Sequence, residues 1–326
     1  MRRFAFVLTL GAIGLWLANA SSVGFAQPYP NRPVRLVVPF GPGTPDAIAR
    51  IVGAQLANQT GQPFVVENRA GANGISGTDA VAKAMPDGYT LLVVSASFAV
   101  NPSIYKNLPY ETLKDFAPVS NLCALDAFIL TVNPAVPANS VQELIALARN
   151  PDSKLAYGSP GIGNTIHLAG ALFNARAGTN MVHVPYKGGG PAVTALLSGE
   201  IQMMFANPTL TLSHIKAGKL RALGVTGHNR LPYLPDVPTM TEAGVPGMEI
   251  SAGWFGLFAP AKVPTDVIAK LATEVRAAVS ERTVRERLEA QGLVPVGNRP
   301  EEFRAYVASE IVAYAEMVRL AGVQTE

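Results

Sequence analysis

Strand-length apolar runs alternate with helix-length segments along most of this chain, and that alternation restricts the fold more than any other feature. Arg35 to Phe40 reads as a buried strand, followed by the turn Gly41-Pro42-Gly43-Thr44-Pro45 and a helix from about Asp46 to Asn58. Phe64 to Glu67 is a second strand. The turn Gly71-Ala72-Asn73-Gly74 and a helix to about Ala84 follow it, and Leu91 to Ser95 is a third strand. Strands and helices of these lengths, taken in turn, predict a parallel sheet with right-handed crossovers.

Residues 98–122 interrupt the rhythm with prolines and turns, and then it resumes. Phe128 to Val132 reads as a strand. Ser140 caps a helix running to Arg149, with Glu143 in the capping-box position. The strands Lys154 to Tyr157, Met181 to Tyr186, Ile201 to Phe205 and Leu220 to Thr226 follow, with helices between them. Residues 227–248 are loop-rich, and Trp254 to Phe258 is one more strand. The end is helical: Ile268, Leu271, Val275 and Val279 form one apolar stripe, and Phe303, Val307, Ile311, Tyr314 and Val318 form another. The fold class is therefore α/β, with two units joined by irregular crossings. One arrangement inserts the second unit, residues 123–250, into a first made of 27–122 and 251–326. Two lobes joined by two crossings form a hinged clamp.

The first 26 residues read as an address. Arg2 and Arg3 precede an apolar run from Phe4 to Ala18, and small residues follow at Ala18-Asn19-Ala20 and Gly24-Phe25-Ala26. This is the pattern of a secretory signal peptide cleaved after Ala20 or Ala26, and the run is too short to span a bilayer. The formal balance of 26 cationic against 23 acidic residues is +3, and it falls to 24 against 23, or +1, without Arg2 and Arg3. No basic cluster remains to hold nucleic acid. A single cysteine, Cys123, excludes a disulfide scaffold and a multi-cysteine metal site. The expected mature protein is soluble and exported.

Ligands of open parallel sheets bind beyond the carboxyl ends of the strands. The residues expected there are small and polar: Gly41, Gly43, Thr44 and Asp46; Ala72, Asn73 and Gly74; Ser95 and Ser97; Ser159, Gly163, Asn164 and Thr165; Tyr186 and Lys187. Most precede helices, where free backbone N–H groups and the helix dipole favour an anion. A carboxylate can be held there without arginine. Asp46 either caps its helix or accepts a hydrogen bond from ligand. His167 is either a structural group or a ligand contact, and Lys187 either a charge partner or a solvated lysine.

Familiar catalytic patterns fail on inspection. Gly41 and Gly43 follow a strand, and Glu67 ends the next, which imitates a dinucleotide fingerprint. Asp46 occupies the third glycine position, and Pro42 and Pro45 remove two N–H groups. Gly188-Gly189-Gly190 lacks the lysine and hydroxyl of a P-loop, and Ser76 is not in a nucleophile elbow. The four histidines show no metal-ligand spacing. No catalytic residue, metal or cofactor is expected.

Several segments carry a family resemblance: Val38 to Arg50, Pro86-Asp87-Gly88-Tyr89-Thr90-Leu91-Leu92, Asp115 to Val119, His183 to Gly188, His214 to Leu223 and Leu234 to Thr239. In order and across the mature chain they resemble the Bug family, the periplasmic substrate-binding receptors of tripartite tricarboxylate transporters. The resemblance implies a two-lobed Venus-flytrap protein of type II, each lobe a mostly parallel sheet flanked by helices. It also implies a small carboxylate ligand, a monomer, and the transporter's membrane subunits as partners. The family's binding loops carry over onto the residues named above, including His167.

Three positions depart from the family pattern. Gly43-Thr44 stands where a Gly-Gly pair is usual, and Ile75 where asparagine is common. Ala206, followed by Asn207, stands where aspartate is usual, which disfavours a cationic ligand group. Asn207 joins the expected site. Two rival readings stay open: a sensor of the same fold that signals to a membrane kinase, and a secreted α/β hydrolase.

Overall fold

The computed structural model describes residues 29–323, so the signal-peptide expectation lies outside the described residues. Two sheets organise the chain. The first has six strands in the order β11-β4-β10-β3-β1-β2. These are β1 (Val34–Val38), β2 (Phe64–Asn68), β3 (Thr90–Ser95), β4 (Phe116–Leu125), β10 (Gly253–Pro260) and β11 (Val294–Pro295). The second has five, in the order β7-β6-β8-β5-β9: β5 (Ile129–Val132), β6 (Ala156–Ser159), β7 (Val182–Pro185), β8 (Met203–Ala206) and β9 (Arg221–Val225).

The expected alternation is present. β1 pairs in parallel with β2 and β3, and β6 with β7 and β8. Each sheet also holds an antiparallel strand in its interior. β10 runs between β3 and β4, and β5 between β8 and β9. Both are buried along their whole length, as continuous apolar runs require. The chain passes between the sheets twice, directly from β4 into β5, and from β9 back to β10 through the loop-rich segment.

The irregular stretch 98–122 holds two elements that the sequence reading left out. These are α3 (Ser97–Ile104), with Pro102 inside it, and the ten-residue β4, with Pro118 inside it. Proline opposes both helix interiors and strand interiors. Pro118 is accommodated at a register shift, where β10 is irregular between Leu257 and Phe258. The two-residue β11 was also unforeseen.

Helices cover the sheets. They are α1 (Thr44–Thr60), α2 (Ile75–Ala82) after a 3-10 turn at Ala72–Gly74, α4 (Val141–Ala148), α5 (Thr165–Ala177), α6 (Gly189–Ser198), α7 (Pro208–Lys216), α8 (Thr265–Ser280), α9 (Arg282–Glu289) and α10 (Pro300–Ala321). α1 starts at Thr44, not Asp46, because Pro45 suits a first turn. Ser140 caps α4 as expected, accepting the Glu143 N–H at 3.2 Å; the Glu143 carboxylate reaches Asn139 N instead of closing the box on Ser140. The stripes of α8 and α10 face inward. Leu271, Val275, Val279, Phe303, Val307, Tyr314 and Val318 are buried, with Ile268 and Ile311 packed at the margin. Trp254 anchors this core, edge-on to Phe303 at 5.3 Å, with its indole N–H donating to Glu310 at 3.1 Å.

Candidate functional site

The carboxyl ends of the parallel strands in both sheets open onto one cleft. Loops from the two sides touch across it. Gly190 N donates to Pro42 O at 3.1 Å, Asn164 Nδ2 to Ser97 Oγ at 2.9 Å, Asn207 Nδ2 to Thr44 Oγ1 at 3.3 Å, and Tyr105 Oη to Ile162 O at 3.0 Å. The cleft is shut in this arrangement.

Within it lies a cavity of about 30 Å³, the space of a water or two. Gly41, Gly43, Thr44 and Ser95 line one side, and Asn164, Thr165, Gly189 and Asn207 the other. Four helices begin there: α1 at Thr44, α5 at Thr165, α6 at Gly189 and α7 just after Asn207. Their positive ends converge on a spot whose lining has no ionisable side chain. Phe40, Ile166, Leu210, Trp254 and Phe255 are among the apolar residues of its wall. Two buried polar atoms of the lining have no partner, Ser95 Oγ and Asn207 Oδ1.

A second cavity of about 270 Å³ adjoins the first and shares Phe40 and Pro160 with it. Ala72, Asn73, Gly74, Tyr186 and Lys187 line it. Ala72 and Asn73 hold left-handed backbone, with φ of 44° and 48°, in the tight 3-10 turn that precedes α2. Asn73 Nδ2 donates to Asn101 Oδ1 at 2.9 Å, while its Oδ1 is buried and unpaired. Tyr186 donates its hydroxyl to Glu200 at 2.8 Å.

Five of the expected residues lie outside both cavities. Asp46 is neither cap nor lining; it pairs with Arg50 one helical turn along, at 2.9 Å. Ser97 is the interlobe acceptor for Asn164. Ser159 Oγ is fully occupied away from the cavity, donating to Gly161 O at 2.9 Å and accepting Gly161 N at 3.2 Å within its own loop, and lying 2.7 Å from His183 Nε2 on β7. Gly163 N donates to His167 Nδ1 at 3.1 Å. His167 thus supports the 159–164 loop from behind, stacked on His183 with ring centroids 3.9 Å apart. Burial lowers both imidazoles, His167 to about 4 and His183 to about 3, the latter lowered further by His167. Both are neutral near pH 7.

The Ser159–His183 contact is the only arrangement resembling a nucleophile and base at these loops. His183 is too weak a base at pH 7 to activate the hydroxyl, which is itself fully buried. Among the described residues no group of three His, Cys, Asp or Glu could hold a metal ion.

Sequence reasoning missed Trp254 and Phe255 as lining. They were read as strand residues only. β10 runs antiparallel to β3, so its first residues lie where the parallel strands end. That orientation has no local sequence signal. A larger open groove of about 1070 Å³, around Leu108, Phe116 and Arg304, receives none of the glycine-rich loops except through Tyr105 at its rim.

Residues 48–322 match the model of a family described as the tripartite tricarboxylate transporter family receptor. The chain belongs to that family. Protein BugT of Bordetella pertussis is 38% identical over 321 residues, 96% of this chain and 97% of its own. The solved periplasmic binding protein BugD is 35% identical, with a TM-score of 0.87 over 91% of this chain and 100% of its own. A structure of R. palustris Rpa4515 with adipate is 34% identical, with the same TM-score and coverage. The chain is a solute-binding receptor of the Bug type, built as the two-sheet α/β fold of those structures. Among the described residues no helix is long and apolar enough to cross a membrane.

Proposed function

We propose that this protein is exported, captures a small carboxylate between two lobes and delivers it, as a monomer, to the membrane subunits of a tripartite transporter. The lobes are residues 27–122 with 251–326, and residues 123–250. One observation carries this reading. Four helix N-termini converge on a cavity that has unpaired polar atoms and no ionisable side chain. Such a place stabilises an anion through oriented N–H groups and dipoles. It offers a cation no counter-charge, and its lining holds no acid or base.

The binding residues in this reading are Gly41, Gly43, Thr44, Ser95, Asn164, Thr165 and Asn207, with Ala72, Asn73, Gly74, Tyr186 and Lys187 in the adjoining cavity. Water fills the remaining hydrogen bonds. The adipate found with Rpa4515 supports a carboxylate here. Ligand favours a closed cleft, opened from the present one by enough to admit it, because closure brings donors from both lobes within reach, and the transporter reads that closed, loaded form.

The test is uptake in cells. Deleting the gene abolishes uptake of the carboxylate that the purified protein binds, and restoring it returns uptake. Tight binding with unchanged uptake rejects delivery to a transporter and favours the sensor reading.

A further inference from the structure

A pocket of about 250 Å³ lies behind the cleft, beside the two crossings between the sheets. Leu125 to Phe128 leads from β4 into β5, and Thr226 to Ala252 leads from β9 back to β10. The crossings run side by side. Ser251 Oγ donates to Leu125 O at 3.1 Å, Ile250 N to Thr226 O at 3.0 Å, and Phe128 N to Thr226 Oγ1 at 2.9 Å. One short stretch of chain therefore ties both crossings and separates two spaces. Ala252 lines the cleft cavity, while Ile250 and Ser251 line the pocket.

α5 reaches both spaces. Thr165 and Ile166, at its start, line the cleft cavity. Leu172 and Arg176, about two and three turns along, line the pocket. Across the pocket stand Ala313 and Met317 of α10, which packs against α5. α10 itself is fixed to the first sheet, through the buried Phe303 and Val307 and through the Glu310 carboxylate that accepts from Trp254. A rigid rod that turns about a line between its ends carries those ends in opposite directions. When Thr165 swings away from Ser95 and Thr44, Leu172 and Arg176 swing towards α10.

We infer that this pocket narrows as the cleft opens, and that the side chains lining it set how readily the cleft opens without touching ligand. This rests on the two-lobe reading above and goes beyond it. A side chain that fills the pocket leaves no room for the opening rotation, because packed interiors do not compress.

The test is a double-mutant cycle across the hinge. Gly41→Ala places a Cβ 2.7 Å from Lys187 O on the far side of the cleft and forces the front apart. Ala313→Trp fills the pocket behind. Each alone is accommodated by one setting of the hinge, so each shifts the thermal midpoint little. Together they demand opposite settings, and the midpoint of the double variant falls several degrees further than the two single shifts added. Val312→Trp adds the same bulk one residue away on α10, at a position that is 71% exposed and outside the pocket, and its shift simply adds to that of Gly41→Ala. Small-angle scattering of the refolded, ligand-free variants supplies a second readout. Gly41→Ala is expanded, and Ala313→Trp is as compact as the shut structure. Met317→Trp gives the same results from a second lining position, so the test survives poor folding of the first variant. Simple addition in both pocket variants, or expansion of both to match Gly41→Ala, overturns the inference and leaves the two-lobe reading intact. A Gly41→Ala variant as compact as the shut structure removes the lobe motion itself and overturns both.

Discussion

Asn164 Nδ2 and Ser97 Oγ meet at 2.9 Å across the cleft, both buried, and join the start of α5 to the start of α3. The same asparagine caps α5 through its Oδ1. One side chain therefore organises a helix end and ties the two lobes together.

Replacing it should show both roles. Asn164→Ala is expected to lose about 1–2 kcal/mol of stability through the missing cap and the stranded Ser97 hydroxyl. It should also weaken carboxylate binding, because the shut form loses a tie. Urea denaturation and calorimetry measure the two effects separately; a stability loss with unchanged affinity would mean that the tie contributes nothing to closure.

Two serines at these loops should respond in opposite ways. Ser95→Ala removes a buried hydroxyl that has no protein partner, so stability should stay within about 0.5 kcal/mol or rise. Its affinity for carboxylate should fall. Ser159→Ala strands the Gly161 N–H and the His183 ring nitrogen and should cost about 1–3 kcal/mol. Denaturation midpoints of the two variants, set beside their dissociation constants, check this contrast.

Gly41 offers a way to hold the cleft open. A Cβ at this residue would lie 2.7 Å from Lys187 O on the opposite lobe, a backbone atom that cannot swing aside. Its φ is not left-handed, so alanine strains nothing within its own lobe. Gly41→Ala should weaken ligand binding by at least tenfold, at ~1.4 kcal/mol per factor of ten, with little change in unfolding. X-ray scattering should show that ligand no longer compacts the variant, whereas it compacts the wild type.

The stacked histidines make stability depend on pH. Their folded values, about 4 for His167 and about 3 for His183, lie below the ordinary 6.5. Above pH 6.5 both are neutral in the folded and unfolded chain, and the contribution is complete. As pH falls below 6.5 the unfolded state takes up protons first, so stability declines until the folded rings also protonate. Denaturation at pH 7.5 and pH 5 should show this loss, and His183→Gln should reduce it. An identical pH dependence in that variant would assign the effect to other groups.

Much of this was legible in the sequence because the parallel strands end in glycine-rich turns that open helices. Thr44, Asn164 and Thr165 were placed by that pattern alone, and the structure brings them to one cavity with Ser95 and Asn207. The family resemblance contributed Asn207, which follows Ala206, the residue that stands where aspartate is usual. What was hidden has two causes. Pro102 and Pro118 sit inside regular elements whose tertiary packing outweighs local preference. Trp254 enters the site only because β10 runs against its neighbours, and pairing direction leaves no mark on a strand's own residues. His167 and Ser159 were read as ligand groups. Ser159 is taken up by Gly161 of its own loop and by His183 behind it, and His167 by Gly163 N, rather than by the cleft, which residue type and spacing do not specify.

The central claim is that the cleft binds a carboxylate and no other class of solute. Thermal unfolding of refolded, ligand-free protein tests it most directly, against hydroxycarboxylates, other di- and monocarboxylates, amino acids, sugars and NAD. A ligand at 1,000 times its dissociation constant adds about 4 kcal/mol, which raises the midpoint by several degrees. The account predicts such a rise with at least one carboxylate and none with sugars or NAD. A flat response to every carboxylate, or a rise with NAD or a sugar alone, would contradict it.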